Sequence, residues 1–139
     1  GRRSIADHSL ETAEYALRIA RLLNEHGTPV NVEDAVRASL MHDIGMTVDE
    51  VFLSPSYRKA YSHPREGARI AWEEFGANSV QVDAILHHMW PIGFIPPHSL
   101  EGWVVVAADK CCSMHESKDA VGVMARRIAR IASGKSKHL

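Results

Sequence analysis

The sequence lacks the features that mark secreted and membrane proteins. It has only two cysteines, the neighbours Cys111 and Cys112. Two thiols do not make a disulfide framework, and neighbouring cysteines rarely bridge each other. No apolar run approaches the roughly 18 residues that suggest a membrane span. We therefore expect free thiols, a cytoplasmic location and no membrane association.

An excess of charge of either sign is also absent. Lys and Arg together number 16 and Asp and Glu number 17, which leaves a formal net charge of −1. Proteins that bind nucleic acids or membrane surfaces usually carry a basic excess. The composition therefore predicts no stable nucleic-acid binding. A few local Arg or Lys side chains can still hold a small phosphorylated metabolite or a nucleotide.

The sequence does contain enough apolar material for one core. Its 139 residues are 45% hydrophobic, and we expect a single domain over residues 1–139, with a core at 5–132 and a polar tail at 133–139. The period-two alternation of a half-buried strand is missing, and only residues 103–107 form a short β-prone run. The pattern predicts an all-α, compact bundle of about six to seven helices.

Capping residues, prolines and glycines set the expected helix boundaries. Asn31 is an expected N-cap, as is Asn78 or Ser79, and Pro64 suits the first turn of a helix. A loop is expected at residues 90–98, which contain three prolines and a glycine. The predicted helices cover residues 6–26, 32–44, 64–75, 79–90, 99–116 and 119–132, with a short segment at 48–52.

Histidine is the one residue type in unusual supply, with nine copies. Imidazole and carboxylate are the ligands that borderline divalent metals prefer, and helices can project them into a bundle. Any one of these side chains taken alone is more often a core or surface residue. The joint pattern instead indicates a metal site, because buried carboxylates need positive partners. The series is His8, His42-Asp43, His63, His87-His88 and Asp109. His26 is expected at a helix C-terminus, where the macrodipole favours it, and His98, His115 and His138 are expected to be structural or solvated.

Five short motifs carry these residues in a familiar order. They are His8-Ser9-Leu10, Met41-His42-Asp43-Ile44-Gly45, His63-Pro64-Arg65-Glu66-Gly67-Ala68, Ile85-Leu86-His87-His88 and Ala107-Ala108-Asp109-Lys110. Their order and spacing resemble the HD-domain superfamily of metal-dependent phosphohydrolases, in particular its small dinuclear members. The resemblance covers residues 8–110, and it implies an HD-type helical fold with one ligand-bearing segment on each of several helices.

The resemblance implies two bound divalent ions, with iron, manganese, zinc and cobalt all possible. Asp43 is expected to bridge them and to be catalytic, and His87 is the preferred proton shuttle if it is not a ligand. The implied ligands are His8, His42, Asp43 and Asp109 for the first ion, and His63 with His87, His88 or both for the second, Asp43 being shared.

The residues that would contact substrate are less sharply indicated. Many relatives carry Lys or Glu three residues beyond the Asp of the motif, where this chain has Met46. Trp90 and Phe94 can either stack on a nucleobase or pack on the core. Cationic side chains can take over the phosphate contact, although each is more often a surface charge: Arg65, Arg69 and Lys110, with Arg58 as a further option.

The implied reaction is hydrolysis of a nucleotide or other small phosphate ester or anhydride by water activated between the two ions. Two alternatives stay open. The same six ligands serve mixed-valent diiron oxygenases, and Met46 is compatible with a non-catalytic module that senses a nucleotide. A cyclic-di-GMP phosphodiesterase is not expected, because no Gly-Tyr-Pro sequence follows His88.

Overall fold

The structure is a computed structural model that describes residues 4–46, 56–114, 118–135 and 139, with side chains over 4–46, 63–113, 120–135 and 139. Within these ranges the chain forms helices and no strands, which confirms the predicted all-α fold. The helices are α1 (Ile5–Glu25), α2 (Val32–Met41), α3 (Ser56–Phe75), α4 (Ser79–Leu86), α5 (Leu100–Met114) and α6 (Lys118–Ala132).

Side-chain caps define three of the helix starts. The side chains of Ser4, Asn31 and Asn78 each accept a hydrogen bond from a backbone N–H three residues later. Such bonds satisfy donors that the first helical turn otherwise leaves without partners. The predictions of Asn31 and Asn78 as caps are confirmed, and α1 begins one residue earlier than expected.

Three predicted boundaries are wrong. Helix α4 ends at Leu86 rather than just before Pro91, because the chain continues in turns in which Trp90 N–H donates to the carbonyl of His87, three residues back. Helix α2 ends at Met41, and the chain continues through a turn in which Ile44 N–H donates to the carbonyl of Met41, three residues back. Helix α3 begins at Ser56, so Pro64 lies inside it rather than in its first turn. Proline removes its own N–H from a helix and its ring crowds the carbonyl four residues back, but the preceding residues include good helix formers, and the helix extends across it. The predicted segment at 48–52 lies outside the described residues.

Helix α5 is the central element. It packs against α1, α2, α4 and α6, and its residues 103–108 are all buried. Val104, Val105 and Val106 belong to the β-prone run, but a helix that is apolar on all sides suits a position between four neighbours. Tertiary burial therefore overrides the local strand preference. None of the described helices has the length and apolar character needed to span a membrane.

Gly45 allows the turn after α2 to approach α3 very closely. A Cβ added to Gly45 would lie 2.0 Å from the carbonyl oxygen of His63 and 2.7 Å from the backbone nitrogen of Gly67. No side chain can occupy that space, so only glycine permits the approach. The contact holds the backbone next to Asp43 against the backbone of His63.

Candidate metal centre

Four side chains from three parts of the fold form the first half of the centre. His8 projects from the first turn of α1, His42 and Asp43 follow α2, and Asp109 lies on α5. His8 Nε2 is 2.8 Å from Asp109 Oδ1 and 3.5 Å from Asp43 Oδ2. His42 Nε2 is 3.1 Å from Asp43 Oδ2 and 3.3 Å from Asp109 Oδ1. The structure thus brings these four predicted ligands together.

The second half shares Asp43 with the first. Asp43 Oδ1 is 3.4 Å from Nε2 of His63 and 3.4 Å from Nε2 of His88. The other oxygen, Oδ2, faces His8 and His42. A carboxylate with one oxygen toward each of two histidine pairs has the arrangement expected of a bridging ligand. The two sets, His8 with His42 and Asp43, and His63 with His88 and Asp43, each have the geometry of a metal-binding group.

The backbone at two helix ends fixes the orientation of His42 and His88. His42 Nδ1 is 2.6 Å from the carbonyl of Ser39, and His88 Nδ1 is 2.7 Å from the carbonyl of Ile85. In both cases Nδ1–H donates to a carbonyl three residues back, near a helix end where carbonyls lack helical partners. A carbonyl can only accept, so Nδ1 carries a proton in both rings, and Nε2 of each ring faces the centre, where it can bind a metal once deprotonated. Metal-ligating histidines are oriented by this kind of second contact.

The donor set fits divalent metal ions. His42 Nε2 is fully buried and has no hydrogen-bond partner of good geometry, although two carboxylates lie nearby. Nε2 of His63 lies 3.2 Å from Nε2 of His88. When both rings are neutral, at least one of these two nitrogens therefore presents a lone pair to the other. Metal–ligand bonds of about 2.0–2.2 Å place neighbouring ligand atoms roughly 3.0–3.5 Å apart. The observed separations of the ligand atoms are close to this range.

Charge in the centre is strongly coupled. Burial by itself would lower the pKa of His42, but contacts with Asp109 and Asp43 outweigh it and raise the pKa to about 10. Burial would likewise raise the pKa values of both carboxyls, yet the surrounding histidines hold the pKa of Asp43 and that of Asp109 well below their usual range. For His88, burial is the largest effect and lowers the pKa. Without metal, His42 thus carries the compensating positive charge for two partly buried anions.

Cys112 contacts the centre, a role that sequence reasoning missed. Its side chain is buried on α5 and takes part in no disulfide. Its Sγ also lies 3.4 Å from Nδ1 of His8 and 3.5 Å from Oε2 of Glu11. When His8 presents Nε2 to the centre, its Nδ1–H can donate to the sulfur, and the thiol can donate to Glu11. The spacing of residues within a single helix does not indicate this contact, because it joins α1 to α5.

His87 lies apart from the other predicted ligands. Its Nε2 is 3.6 Å from Asp83 Oδ1, and its ring packs at 5.2 Å from the ring of His98. Successive helical residues point about 100° apart, so His87 and His88 face different ways at the end of α4. Neither Asp83 nor His98 was predicted as a site residue. The four-residue spacing of Asp83 and His87, which places them on one helix face, was the available signal.

The predicted substrate-binding cations lie in different surroundings. Arg69 is paired with Glu66 and, at 2.7 Å, with Glu73 on the outer face of α3. Arg65 is exposed on the same helix. Lys110 follows Asp109 directly, and its Nζ lies 5.1 Å from the ring centre of Trp90, which packs edge-on against Trp103. Lys110 is therefore the one of the three whose chain neighbour belongs to the centre.

The two aromatic residues of the loop differ in exposure. Trp90 is partly buried against the core, whereas Phe94 is 83% exposed. The structure thus favours packing for Trp90 and leaves Phe94 accessible to a ligand.

Comparison with known proteins gives a consistent picture. Ribonuclease Y of Chloroflexus aurantiacus is 35% identical over 106 residues, which cover 76% of this chain and 18% of that protein. Ribonuclease Y of Petrotoga mobilis is 32% identical over 105 residues, covering 76% of this chain and 17% of its own. Ribonuclease Y of Ureaplasma parvum serovar 3 is 35% identical over 85 residues, which cover 61% of this chain and 15% of that protein. This chain therefore spans less than a fifth of the length of these relatives. No solved structure matches the chain.

Residues 5–114 match the family described as HD domain. The matched range includes every member of the candidate metal centre, from His8 on α1 to Asp109 on α5. It also covers most of the chain, from the beginning of α1 to the end of α5. The chain therefore belongs to the HD domain family, part of a superfamily of metal-dependent phosphohydrolases.

Proposed function

We propose that this protein is a metal-dependent phosphohydrolase with two divalent ions, of iron, manganese, zinc or cobalt. The observation that carries the proposal is the position of Asp43, whose two oxygens face two separate pairs of histidines. The proposed ligands are His8, His42, Asp43, His63, His88 and Asp109.

The described residues support distinct parts of this activity. Bound divalent ions would activate water and neutralise the charge of a phosphoryl group. Asp43 holds the two halves of the centre at a fixed separation, because each of its oxygens belongs to one half. The carbonyls of Ser39 and Ile85 keep the lone pairs of two histidines directed inward. We assign no proton transfer to His87, because its described contacts are with Asp83 and His98.

Lys110 is our first choice for a contact with substrate phosphate. It is adjacent to Asp109, and the face of Trp90 supports its side chain. Arg65 is a second choice, because it is exposed two residues beyond His63. Arg69 is a third, since binding a phosphate would compete with its two existing carboxylate partners.

For the substrate we propose a nucleotide or another small phosphate ester or anhydride. A second candidate is an RNA phosphodiester, which the similarity to proteins named Ribonuclease Y favours. The near-neutral composition argues against tight, non-specific binding of RNA, but it does not exclude cleavage of a short strand. Both candidates contain a phosphoryl group that the same centre can accept.

The test is a substrate screen with controlled metal content. The full chain is freed of metal and reloaded with Mn, Fe, Co or Zn. It is then assayed against nucleotides, dinucleoside polyphosphates, phosphate monoesters and a short single-stranded RNA. Asp43→Ala should lose metal and turnover together, whereas Glu74→Ala, which removes an exposed carboxylate on α3, should keep both.

Two results would contradict the proposal. One is an Asp43→Ala variant with full metal content and full turnover. The other is a wild-type protein that contains iron, shows the EPR signal of a mixed-valent pair and hydrolyses no phosphate ester. That second result would favour the diiron oxygenase.

A further inference from the structure

A second group of metal-binding side chains lies at the other face of the end of α4. It consists of Asp83 and His87 on or at the end of α4, and His98 from the loop that precedes α5. One ligand atom from each residue lies within 4.8 Å of the other two. None of the three belongs to the candidate metal centre described above. We propose that these residues bind a third divalent cation of the zinc class, separate from the dinuclear centre.

The chemistry of the donors supports this site. Two imidazoles and one carboxylate are a ligand set that zinc and neighbouring transition metals accept, with further positions left to water. Asp83 and His87 are four residues apart, so they lie on one helix face, the spacing that places two ligands of a helix on one ion. His98 supplies the third ligand from a different segment.

The carboxylate of Asp83 is already oriented by the loop. Its Oδ2 accepts a hydrogen bond of 2.9 Å from the backbone N–H of His98, and its Oδ1 is 2.7 Å from His98 Nδ1. Oδ1 is also 3.6 Å from His87 Nε2, near the roughly 3.0–3.5 Å that separates two ligand atoms on one ion. The ring of His98 is thus held at Oδ1 from one side and His87 approaches from another.

A cation can enter this group with small movements. His98 is 71% exposed at its side chain, so ions and water reach it directly. The cation would take the place of the proton between His98 Nδ1 and Asp83 Oδ1, with the ring proton then on Nε2. The bound ion would join the loop to α4, because His98 and Asp83 belong to different elements.

Metal titration of the full chain tests the proposal. Metal-free protein is titrated with Co²⁺, followed by visible absorption, and Zn²⁺ content is measured after equilibrium dialysis. Wild type should bind three equivalents and His98→Ala two, with affinity at the third site falling by at least about tenfold. His98→Cys should restore the third equivalent, since a thiolate also binds zinc. His26→Ala, which removes a histidine bonded to its own helix, is the matched control and should bind three.

The result separates this site from the proposed hydrolase. If His98→Ala and wild type bind metal with equal stoichiometry and affinity, the third site does not exist. The helical content of Asp43→Ala is checked by circular dichroism. If this variant still binds one equivalent of metal, and adding His98→Ala removes that equivalent, the third site is supported independently of the dinuclear centre. Wild type that binds a single equivalent, lost in His98→Ala, would support this site and contradict the dinuclear proposal.

Discussion

Replacement of Gly45 by alanine should separate the two halves of the metal centre. The added Cβ would lie 2.0 Å from the carbonyl oxygen of His63, whereas ordinary contact begins at 3.4 Å. The carbonyl oxygen of His63 and the nearby nitrogen of Gly67 are both backbone atoms, so neither can rotate away. The turn after α2 and helix α3 must therefore move apart by about 1.4 Å, the difference between those two distances.

That displacement is large for a metal site. Ligand distances hold within about 0.2 Å, so His63 can no longer share an ion with Asp43 after a shift of this size. His8, His42 and Asp109 lie on other elements and keep their positions relative to Asp43. We expect Gly45→Ala to retain one ion, lose the other, and lose activity by about 100-fold.

The same change should lower stability. Overpacking costs about 1–3 kcal/mol, which corresponds to a decrease in Tm of about 4–12 °C for a domain of this size. Metal content by mass spectrometry, Tm by calorimetry and phosphoesterase rate are measured on the same preparation. Gly67→Ala, with its nearest atom at 3.2 Å, should show a smaller effect, and Gly93→Ala, at 3.8 Å, almost none. A metal content equal to that of wild type and an unchanged Tm in Gly45→Ala would refute the reasoning.

Three further predictions concern single contacts. Cys112→Ala should weaken binding of the first ion by about 10- to 100-fold, because His8 loses its second contact. Cys112→Ser should largely restore the affinity. Equal metal affinity in wild type and both variants would contradict this prediction. In the metal-free protein the pKa of His42 is raised from 6.5 to about 10. The charge of His42 therefore stabilises the folded state fully below pH 6.5, and this stabilisation is lost as the pH rises through about 10. Tm followed by fluorimetry should therefore fall between these two pH values, and less steeply with saturating metal, which holds His42 neutral; parallel curves would argue against a charged His42. Gly122→Ala on α6 should raise Tm by about 2–4 °C, because alanine stabilises a helix by about 0.5–1 kcal/mol relative to glycine. The added Cβ would meet only the end of the Arg126 side chain, at 3.4 Å. A lower Tm would show that the packing there is tighter.

The fold was predictable where local rules decide it. Asn31 and Asn78 were recognisable as caps because a short polar side chain precedes an apolar period. The start of α3 was not, because Pro64 resembles a first-turn proline and only the neighbouring structure shows the helix continuing through it. The end of α2 was misplaced because the residues from His42 to Gly45 keep a tightened turn that local sequence does not distinguish from helix.

For the candidate centre, the sequence indicated most of the residues that lie together but not the contacts that hold them in place. The order of the histidines and aspartates indicated which residues to consider, and the structure brings His88 rather than His87 to Asp43. The contacts of Cys112 with His8 and of His98 with Asp83 depend on segments that meet only in three dimensions. The same is true of the carbonyl of His63 that excludes a side chain at Gly45.

The contact between His8 and Asp109 joins positions that are 101 residues apart in the chain. Bringing such distant positions together costs loop-closure entropy before other contacts compensate, which slows formation of the contact. The first half of the centre can therefore capture a metal only after α1 has docked on α5. Cobalt uptake by this half of the centre, followed during refolding in a protein that lacks the third site, should then measure the time at which α1 and α5 meet.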